Sequence, residues 1–381
     1  MKTGELYMLR AEKVTDIYED QVAVSLPNRV HSLAGSNMTN LVIDGHALEA
    51  GVPRKVPGEL WACLWMPPTA PDVVAGVEQL VTEVKVCEDE QNVLVIGPRA
   101  CTLKEYVFGS DRWVVGSTGK REGVCALTTY AYLNQQVYFL GNSKSDRAVE
   151  TYALATRTWT FAAPMPSGRR ECATVTCRNR LYAIGGLSSQ GVATNTMDCF
   201  DGHAWTSKPG MVGKRWGHSA VAVQHYIYVF GGMPVALGEQ LVECYNCLTE
   251  QWSVVATMDR QYFSAICAVD HFVYLFGGMV SRSAPPSGAL TRFDVLTHEW
   301  RTLVPMPTPR HSLGVVLVGH SIMAVGGRHA DSQPSNAMEC YDLLANTWRK
   351  CSDLPGPCWH PVAIPVSALS ASTMGTEAIV D

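Results

Sequence analysis

The amino-acid sequence predicts an all-β protein: a six-bladed β-propeller closed by a C-terminal strand and preceded by a short mixed or helical N-terminal region. Three markers recur six times along the 381 residues: an apolar run ending in glycine, an aromatic residue, and a tryptophan. Steps of 44, 44, 46, 46 and 49 residues separate the first glycines, which are Gly97, Gly141, Gly185, Gly231, Gly277 and Gly326. A common period of this length indicates a repeat architecture.

Each repeat contains the elements of one small sheet. The apolar runs, such as Val-Tyr-Leu-Phe at 273–276, are β-branched and aromatic and therefore favour strands. A glycine pair at the strand end permits a positive φ and a tight turn. The aromatic residue and the later tryptophan predict the two strands of a hairpin. These pairs are Tyr106 and Trp113, Tyr152 and Trp159, Phe200 and Trp205, Tyr245 and Trp252, Phe293 and Trp300, and Tyr341 and Trp348.

A fourth strand is predicted before each glycine run. Segments such as 171–177 and 264–269 are short and rich in small or β-branched residues, as a crowded inner strand requires. One unit is then a four-stranded antiparallel sheet of about 46 residues, which cannot bury both faces alone. Radial stacking of copies gives a propeller. The regular register of the aromatic residues favours packing between blades over a ligand-binding aromatic set.

The ends of the repeat region predict how the ring closes. The first unit begins directly at its glycine strand, and one apolar segment, 360–367, remains after the last unit. We expect this segment to supply the missing inner strand, which leaves no free sheet edge. Pro365 opposes this interpretation, because proline removes one ladder donor. The domains are then 1–89, a propeller over 90–367, and a flexible tail over 368–381.

These residues resemble the Kelch repeat. The double glycine, the acidic residue two positions before the aromatic one (Glu150, Asp198, Glu243 and Glu339) and the later tryptophan follow that family's pattern over about 90–367. The pattern is specific for the fold and says much less about function, because propellers host many unrelated activities. Proteins of the Kelch-like family carry a BTB domain and a helical BACK domain before the propeller.

Residues 1–89 are too few for both of those domains. The apolar spacing over 72–86 predicts a helix with Asp72 as its N-cap. The resemblance implies that this region is a divergent or truncated BACK-like remnant, without a recognisable complete BTB domain. A degenerate seventh blade around 29–36 is the alternative.

Composition limits the classes of function. The hydrophobic fraction of 47% and the charged fraction of 17% exclude a disordered chain. A net charge of −5 favours neither nucleic acid nor an anionic membrane as partner. The start of the chain lacks the apolar core of a signal peptide, and the 13 cysteines are scattered without framework spacing. We therefore expect a cytoplasmic protein with reduced thiols.

No catalytic or metal-binding motif is apparent. Cys244 and Cys247 have redox-motif spacing, but Cys199, Cys244 and Cys340 all precede the repeat aromatic residue, which indicates a packing position. The histidines form no ligand pair with zinc-site spacing. We expect no enzyme activity, no cofactor and no metal. Some Kelch propellers are sugar mutarotases or copper oxidases, so an enzyme remains an alternative.

The basic residues before the inner strands are the candidate site. A residue 16 positions before the first glycine falls in the loop that enters the inner strand, and we expect that loop to line one mouth of the central channel. The residues predicted to form this partner-binding rim are Arg121, Arg169, Arg215, Gln261, Arg310 and His360 before inner strands, and Arg99, Met233, Met279 and Arg328 after glycine pairs.

Two roles are open for these arginines. In one, each guanidinium hydrogen-bonds neighbouring loop carbonyls and only ties the blades together. In the other, the ring captures carboxylates of an acidic protein segment, with the methionines adding an adaptable apolar patch. The Kelch-like resemblance implies a substrate adaptor of a cullin-3 ubiquitin ligase. A cytoskeletal, actin-binding scaffold and a sugar mutarotase are the alternatives.

Overall fold

The structure is a computed structural model. It describes the strands between residues 5 and 66 by their backbone, and then residues 91–97, 102–107, 110–117, 129–141, 145–233, 240–281 and 283–367. The chain divides into two compact units, Met1–Asp89 and Glu90–Asp381.

The first unit contains one eight-stranded sheet, ordered β1-β8-β6-β5-β4-β3-β2, with β7 also paired to β8. Its strands are β1 (Glu5–Ala11), β2 (Lys13–Tyr18), β3 (Gln21–Leu26), β4 (Arg29–Ala34), β5 (Asn40–Ile43), β6 (His46–Ala50), β7 (Arg54–Val56) and β8 (Glu59–Met66). The segment weighed as a seventh blade is β4, which pairs with β3 and β5 in this sheet. The helix predicted over 72–86 lies outside the described residues, and the BACK-like interpretation stays a prediction.

The second unit is a six-bladed β-propeller, as predicted. Each blade is a four-stranded sheet, and the order from the inner to the outer strand follows. Blade 1 contains β34 (Val362–Ser367), β9 (Gln91–Ile96), β10 (Thr102–Val107) and β11 (Arg112–Ser117). Blade 2 contains β12 (Thr129–Leu133), β13 (Gln136–Leu140), β14 (Val149–Ala153) and β15 (Thr158–Phe161). Blade 3 contains β17 (Ala173–Cys177), β18 (Arg180–Ile184), β20 (Met197–Phe200) and β21 (Trp205–Lys208).

The other three blades repeat this order. Blade 4 contains β22 (Ser219–Val223), β23 (Tyr226–Phe230), β24 (Gln240–Asn246) and β25 (Gln251–Met258). Blade 5 contains β26 (Ala265–Val269), β27 (Phe272–Phe276), β28 (Leu290–Asp294) and β29 (Trp300–Thr302). Blade 6 contains β30 (Gly314–Val318), β31 (Ser321–Val325), β32 (Met338–Asp342) and β33 (Thr347–Lys350). A two-stranded ribbon, β16 (Arg169–Arg170) with β19 (Leu187–Ser188), flanks blade 3.

The ring closes through its C-terminal strand. Strand β34 pairs antiparallel with β9, from Val362 opposite Ile96 to Ser367 opposite Gln91. Pro365 lies within this pairing and is exposed. As the inner edge of blade 1, β34 needs ladder bonds on one side only, and that is why a proline is tolerated there.

Buried side chains fill all six interfaces between neighbouring blades. The six apolar clusters join blades 6 and 1, 1 and 2, 2 and 3, 3 and 4, 4 and 5, and 5 and 6. In the cluster that seals the ring, Val93 and Val95 of blade 1 pack with Val325 and Met338 of blade 6. The first blade is therefore packed against the last as the other neighbours are packed.

The repeat tryptophans join neighbouring blades. Each ring lies 4.8–5.2 Å from the repeat aromatic ring of its own blade. Five indole N–H groups donate over 2.8–3.1 Å to carbonyls that follow or end the outer strand of the preceding blade: Trp113 to Ser352, Trp205 to Ala163, Trp252 to Pro209, Trp300 to Thr257 and Trp348 to Val304. The predicted packing role of this register is confirmed, because these rings serve the blade interfaces.

The glycine pairs form the close contact between blades, and Gly277 and Gly278 illustrate it. Both have positive φ, at 60° and 95°. The N–H of Gly278 donates to the carbonyl of Arg310 in blade 6 at 3.2 Å. A Cβ on Gly277 would collide with that same carbonyl. The pair is needed for this approach as well as for the turn.

Candidate functional site

Three of the six predicted rim arginines are buried. Arg169 is 2% exposed, Arg215 is 6% exposed and Arg310 is fully buried. The guanidinium of Arg310 donates to the carbonyls of Ala337 at 3.1 Å and Ala324 at 3.0 Å, and to Glu339 Oε2 at 3.0 Å. All three acceptors belong to blade 6, so the side chain anchors the entering loop to its own blade.

Arg169 and Arg215 make the same set of contacts. Arg215 donates to the carbonyls of Gly231 at 3.0 Å and Leu241 at 2.9 Å, and forms an ion pair with Glu243. Arg169 donates to three carbonyls of blade 3 and pairs with Asp198. These are the contacts of the alternative role, in which the arginine is a structural tie. A guanidinium that is buried and bonded to its own blade in this way has no surface to offer a partner.

The tie connects two motifs of the repeat. Its acid is the residue two positions before the aromatic, and its arginine lies 16 positions before the first glycine of the same blade. Blade 5 lacks both members: Gln261 replaces the arginine and Thr291 replaces the acid. The Gln261 side chain still donates to the Gly277 carbonyl. The neutral substitute therefore keeps the backbone contact while avoiding an unpaired buried charge.

Blade 1 departs in another way. Cys358 occupies the arginine position and Lys104 occupies the acid position. Burial lowers the pKa of Lys104 and raises the pKa of the Cys358 thiol to about 11. Lys104 donates instead to the Gly356 carbonyl at 3.3 Å. The ion pair is thus absent from blade 1, which combines the first strands of the propeller with its last strand, β34.

The mouth of the channel is formed two residues beyond each tie position. In the five blades where this position is described, its residue has a positive φ between 48° and 62°: Glu171, Gly217, Phe263, Ser312 and His360. We call these five residues the mouth ring. Each N–H after the first donates to the carbonyl of the preceding member, over 2.8–3.0 Å. The five described residues are therefore joined by a series of hydrogen bonds that fixes the spacing of their inner strands.

A cavity of 260 Å³ lies in the channel at this mouth. It is lined by the mouth ring and by the first residues of the inner strands, among them His218 and Ile266. The Phe263 ring extends across the opening, with centroids 5.8 Å from Trp216 of blade 4 and 6.1 Å from His360 of blade 1. Phe263 leans over Gly217, where a Cβ would come within 3.0 Å of the ring. The aromatic side chains therefore narrow the entrance.

The rest of the predicted rim lies around this opening and is half-buried. The backbone of Met233 pairs with Trp216, and that of Met279 pairs with Tyr262. Arg328 is paired likewise, and its guanidinium carbon lies 3.9 Å from the centre of the Trp359 ring. Gln261 and His360 are half-buried at the same mouth. Arg99 and Arg121 lie outside the described residues.

Sequence reasoning missed the aromatic residues of the mouth. Trp216 follows Arg215 directly, and Phe263 follows Gln261 by two residues. The repeat register that located the arginines also assigns the next one or two residues to the mouth. These positions are the sequence signal by which the two aromatic residues could have been found.

Three histidines at this mouth are held neutral. Burial lowers the pKa of His218 to about 3, and the nearby Arg215 charge adds to the effect. Burial also lowers the pKa values of His311 and His360 to about 4, with Arg328 contributing to both. Protonation of these side chains is therefore opposed by the folded mouth.

Acid is expected to weaken the propeller through His218. A folded pKa below the unfolded value means that the unfolded chain binds the proton first, so the free energy of unfolding falls as pH drops below about 6.5. This single group should cost about 2 kcal/mol by about pH 5. Denaturant unfolding of the wild type and of His218→Gln, each at about pH 6.5 and about pH 5, measures this loss of unfolding free energy. His203→Gln, an exposed control, should leave the pH dependence unchanged, and an equal dependence in all three proteins would contradict the expectation.

The described residues contain no helix long and apolar enough to cross a membrane. They also contain no group of three or more histidine, cysteine or acidic side chains arranged to hold a metal ion.

Comparison with known proteins supports the repeat. Residues 168–212 match the Kelch motif, and residues 217–374 match the KLHDC2/KLHL20/DRC7 Kelch-repeats domain. Alpha-scruin of Limulus polyphemus is 24% identical over 226 residues, covering 52% of this chain and 24% of that protein. Kelch-like protein 35 of Mus musculus is 34% identical over 89 residues, covering 23% of this chain and 16% of that protein.

Kelch-like protein 23 of Mus musculus is 26% identical over 182 residues, covering 45% of this chain and 32% of that protein. The chain thus spans a third or less of the length of these relatives. The glycine pairs, the aromatic and tryptophan register, the six closed blades and these matches agree: the chain is a Kelch-repeat protein, homologous to the Kelch-like proteins through its β-propeller.

Proposed function

We propose that the protein is a non-catalytic binding module that holds a segment of a partner protein at the channel mouth. The observation that carries the proposal is the composition of the half-buried rim. Trp216, Met233, Phe263 and Met279 are half-buried apolar and aromatic residues, and the Arg328 guanidinium lies over the Trp359 ring. Large aromatic side chains, methionine and arginine are the residue types enriched in protein interfaces.

The rim also indicates the chemistry of the partner. The buried arginines are neutralised by Asp198, Glu243 and Glu339, so they contribute little positive charge to the mouth. Arg170 and Arg328 are the half-buried guanidiniums next to the mouth ring. A segment that combines an apolar or aromatic side chain with a carboxylate would fit this surface better than a purely acidic one.

The resemblance to Kelch-like proteins extends the proposal to a complex. We infer that the propeller selects the client of a cullin-3 ubiquitin ligase. In this role the mouth contacts the client, and cullin-3 is contacted elsewhere. Substitution of the rim residues should therefore reduce client binding and leave cullin-3 binding unchanged.

We expect the rim variant Trp216→Ala/Met279→Ala/Arg328→Ala to retain at least about tenfold less client protein than the wild type. Aromatic and arginine side chains carry most of the binding energy of protein interfaces. Affinity purification from cells followed by quantitative mass spectrometry measures clients and cullin-3 together. The matched control is Leu248→Ala/Leu296→Ala/Leu344→Ala, which removes side chains 57%, 72% and 65% exposed in turns on the opposite face.

The outcomes separate the parts of the proposal. Clients lost only from the rim variant, with cullin-3 retained by all proteins, support both parts. Cullin-3 absent from every purification overturns the ligase role and leaves the binding module. Clients retained by the rim variant, or lost equally from the control, overturn the assignment of the mouth.

A further inference from the structure

Two cysteines from different blades meet on the face opposite the mouth. Cys177 is the last residue of the inner strand β17 in blade 3, and Cys247 directly follows β24 in blade 4. Their Sγ atoms are 3.5 Å apart, within hydrogen-bonding distance for sulfur. The sequence spacing suggested Cys244 as the neighbour of Cys247, whereas the fold brings Cys177 to it across the blade interface.

The turn between β22 and β23 holds both thiols in place. The Cys247 N–H donates to the His225 carbonyl at 3.0 Å, and the Cys177 thiol lies 3.5 Å from the Gln224 carbonyl. A disulfide bond of about 2.05 Å requires the two sulfur atoms to approach by a further 1–2 Å. A side-chain rotation in the Cys247 turn supplies a movement of this size.

The two thiols differ in access and in acidity. Cys247 is half-buried, whereas Cys177 is 3% exposed. The hydrogen bond with Cys177 lowers the pKa of Cys247 below the usual range of a thiol, and the Arg178 and Arg180 charges act in the same direction. Burial raises the pKa of Cys199, the next thiol of this cluster. The more accessible thiol is therefore also the one with the lowered pKa, and this combination makes a cysteine reactive.

We propose that Cys177 and Cys247 form an oxidisable dithiol site that takes hydroperoxides and closes to an interblade disulfide. The Cys247 thiolate attacks the peroxide, which breaks the O–O bond, gives a sulfenic acid and releases hydroxide that takes up a proton to become water. The Cys177 sulfur then attacks the sulfenic sulfur, the S–O bond breaks, and a second water leaves. Two thiols are oxidised to a disulfide, and one hydrogen peroxide is reduced to two waters.

The disulfide would join blade 3 to blade 4 by a covalent bond. It closes a long loop between the two cysteines, and cross-links of this kind stabilise the folded state mainly by restricting the unfolded chain. The cross-link lies on the face of the propeller opposite the mouth. The site is independent of the proposed partner-binding mouth.

Hydrogen peroxide added to the native full-length protein tests the proposal. The expected product is lighter by two hydrogens, and trypsin should release peptide 171–178 joined to peptide 216–260. Cys177→Ser and Cys247→Ser should abolish the product. Cys172→Ser and Cys244→Ser, which change the other cysteines of the same two peptides, should retain it. A link that survives Cys247→Ser, or one that joins Cys199 instead of Cys177, overturns the assignment.

Alkylation by iodoacetamide provides a second measurement. Cys247 should react fastest among the cysteines in the described part of the chain, and the midpoint of its reaction should lie below that of an ordinary thiol. In Cys177→Ala the hydrogen bond to the thiolate is lost, so the midpoint should rise and the rate at neutral pH should fall about tenfold. Cys177→Ser keeps a donor and should restore much of the rate. A Cys247 that reacts no faster than Cys244 overturns the site even if the variants fold poorly.

Discussion

Arg310→Met is expected to lower the free energy of unfolding by about 3–5 kcal/mol, because it leaves Glu339 buried without its partner. Glu339 is 4% exposed, and its other described contact is the Thr308 hydroxyl at 2.6 Å. The substitution also removes the donors to the Ala324 and Ala337 carbonyls. Urea unfolding followed by tryptophan fluorescence measures the loss.

Two variants separate the ion pair from general damage to the blade. Arg301→Met removes an exposed arginine of the neighbouring blade and should change stability by less than about 0.5 kcal/mol. The double variant Arg310→Met/Glu339→Leu removes both charges and should recover part of the loss, since a buried pair replaced by apolar residues is often neutral. An Arg310→Met protein as stable as Arg301→Met would show that the tie contributes nothing to stability.

The sequence predicted the blades well because their signals are local. A glycine pair, an aromatic ring and a tryptophan each act within one blade or at its edge, and their spacing directly gives the number of sheets. Closure also followed from counting, because only one apolar segment was left for the incomplete first blade. Pro365 argued against it, and the objection fails because β34 is an inner edge strand.

The role of the arginines could not be decided in the same way. Spacing places Arg215 in the entering loop, but it does not say whether the guanidinium points to the channel or into the blade. The information was present in the acid that stands two residues before the repeat aromatic in four blades and pairs with the arginine in three of them. In blade 5, Gln261 and Thr291 replace both members of the pair.

The thiol pair was also out of reach of sequence reasoning. Cys177 and Cys247 are 70 residues apart and belong to different blades. Each is unremarkable in its own repeat, since neither occupies the cysteine position that precedes the aromatic residue. Only the packing of β17 against the next blade brings the two sulfur atoms together.

Removal of β34 is expected to abolish the cooperative unfolding of the propeller. A chain ending at Pro361 lacks the strand that pairs with β9 from Gln91 to Ile96. It also loses Val362, Ala363 and Ile364, which are 3%, 6% and 4% exposed. Burying a valine or isoleucine contributes about 1.5–3 kcal/mol, and the edge of β9 would be left open to association with other chains.

The matched control ends at Ser367, which keeps β34 and removes only the tail. Calorimetry and gel filtration of the two truncated proteins should show a single sharp transition and a monomer-sized peak for the control. The shorter chain should show a broad transition and aggregates. Ile364→Ser in the full chain gives a graded test, with an expected loss of about 2–4 kcal/mol. The chain ending at Pro361 could instead unfold in an equally sharp transition at the same temperature as the control. In that case β34 is not needed to close the ring, and the remaining contacts between blades 6 and 1 are enough to hold it closed.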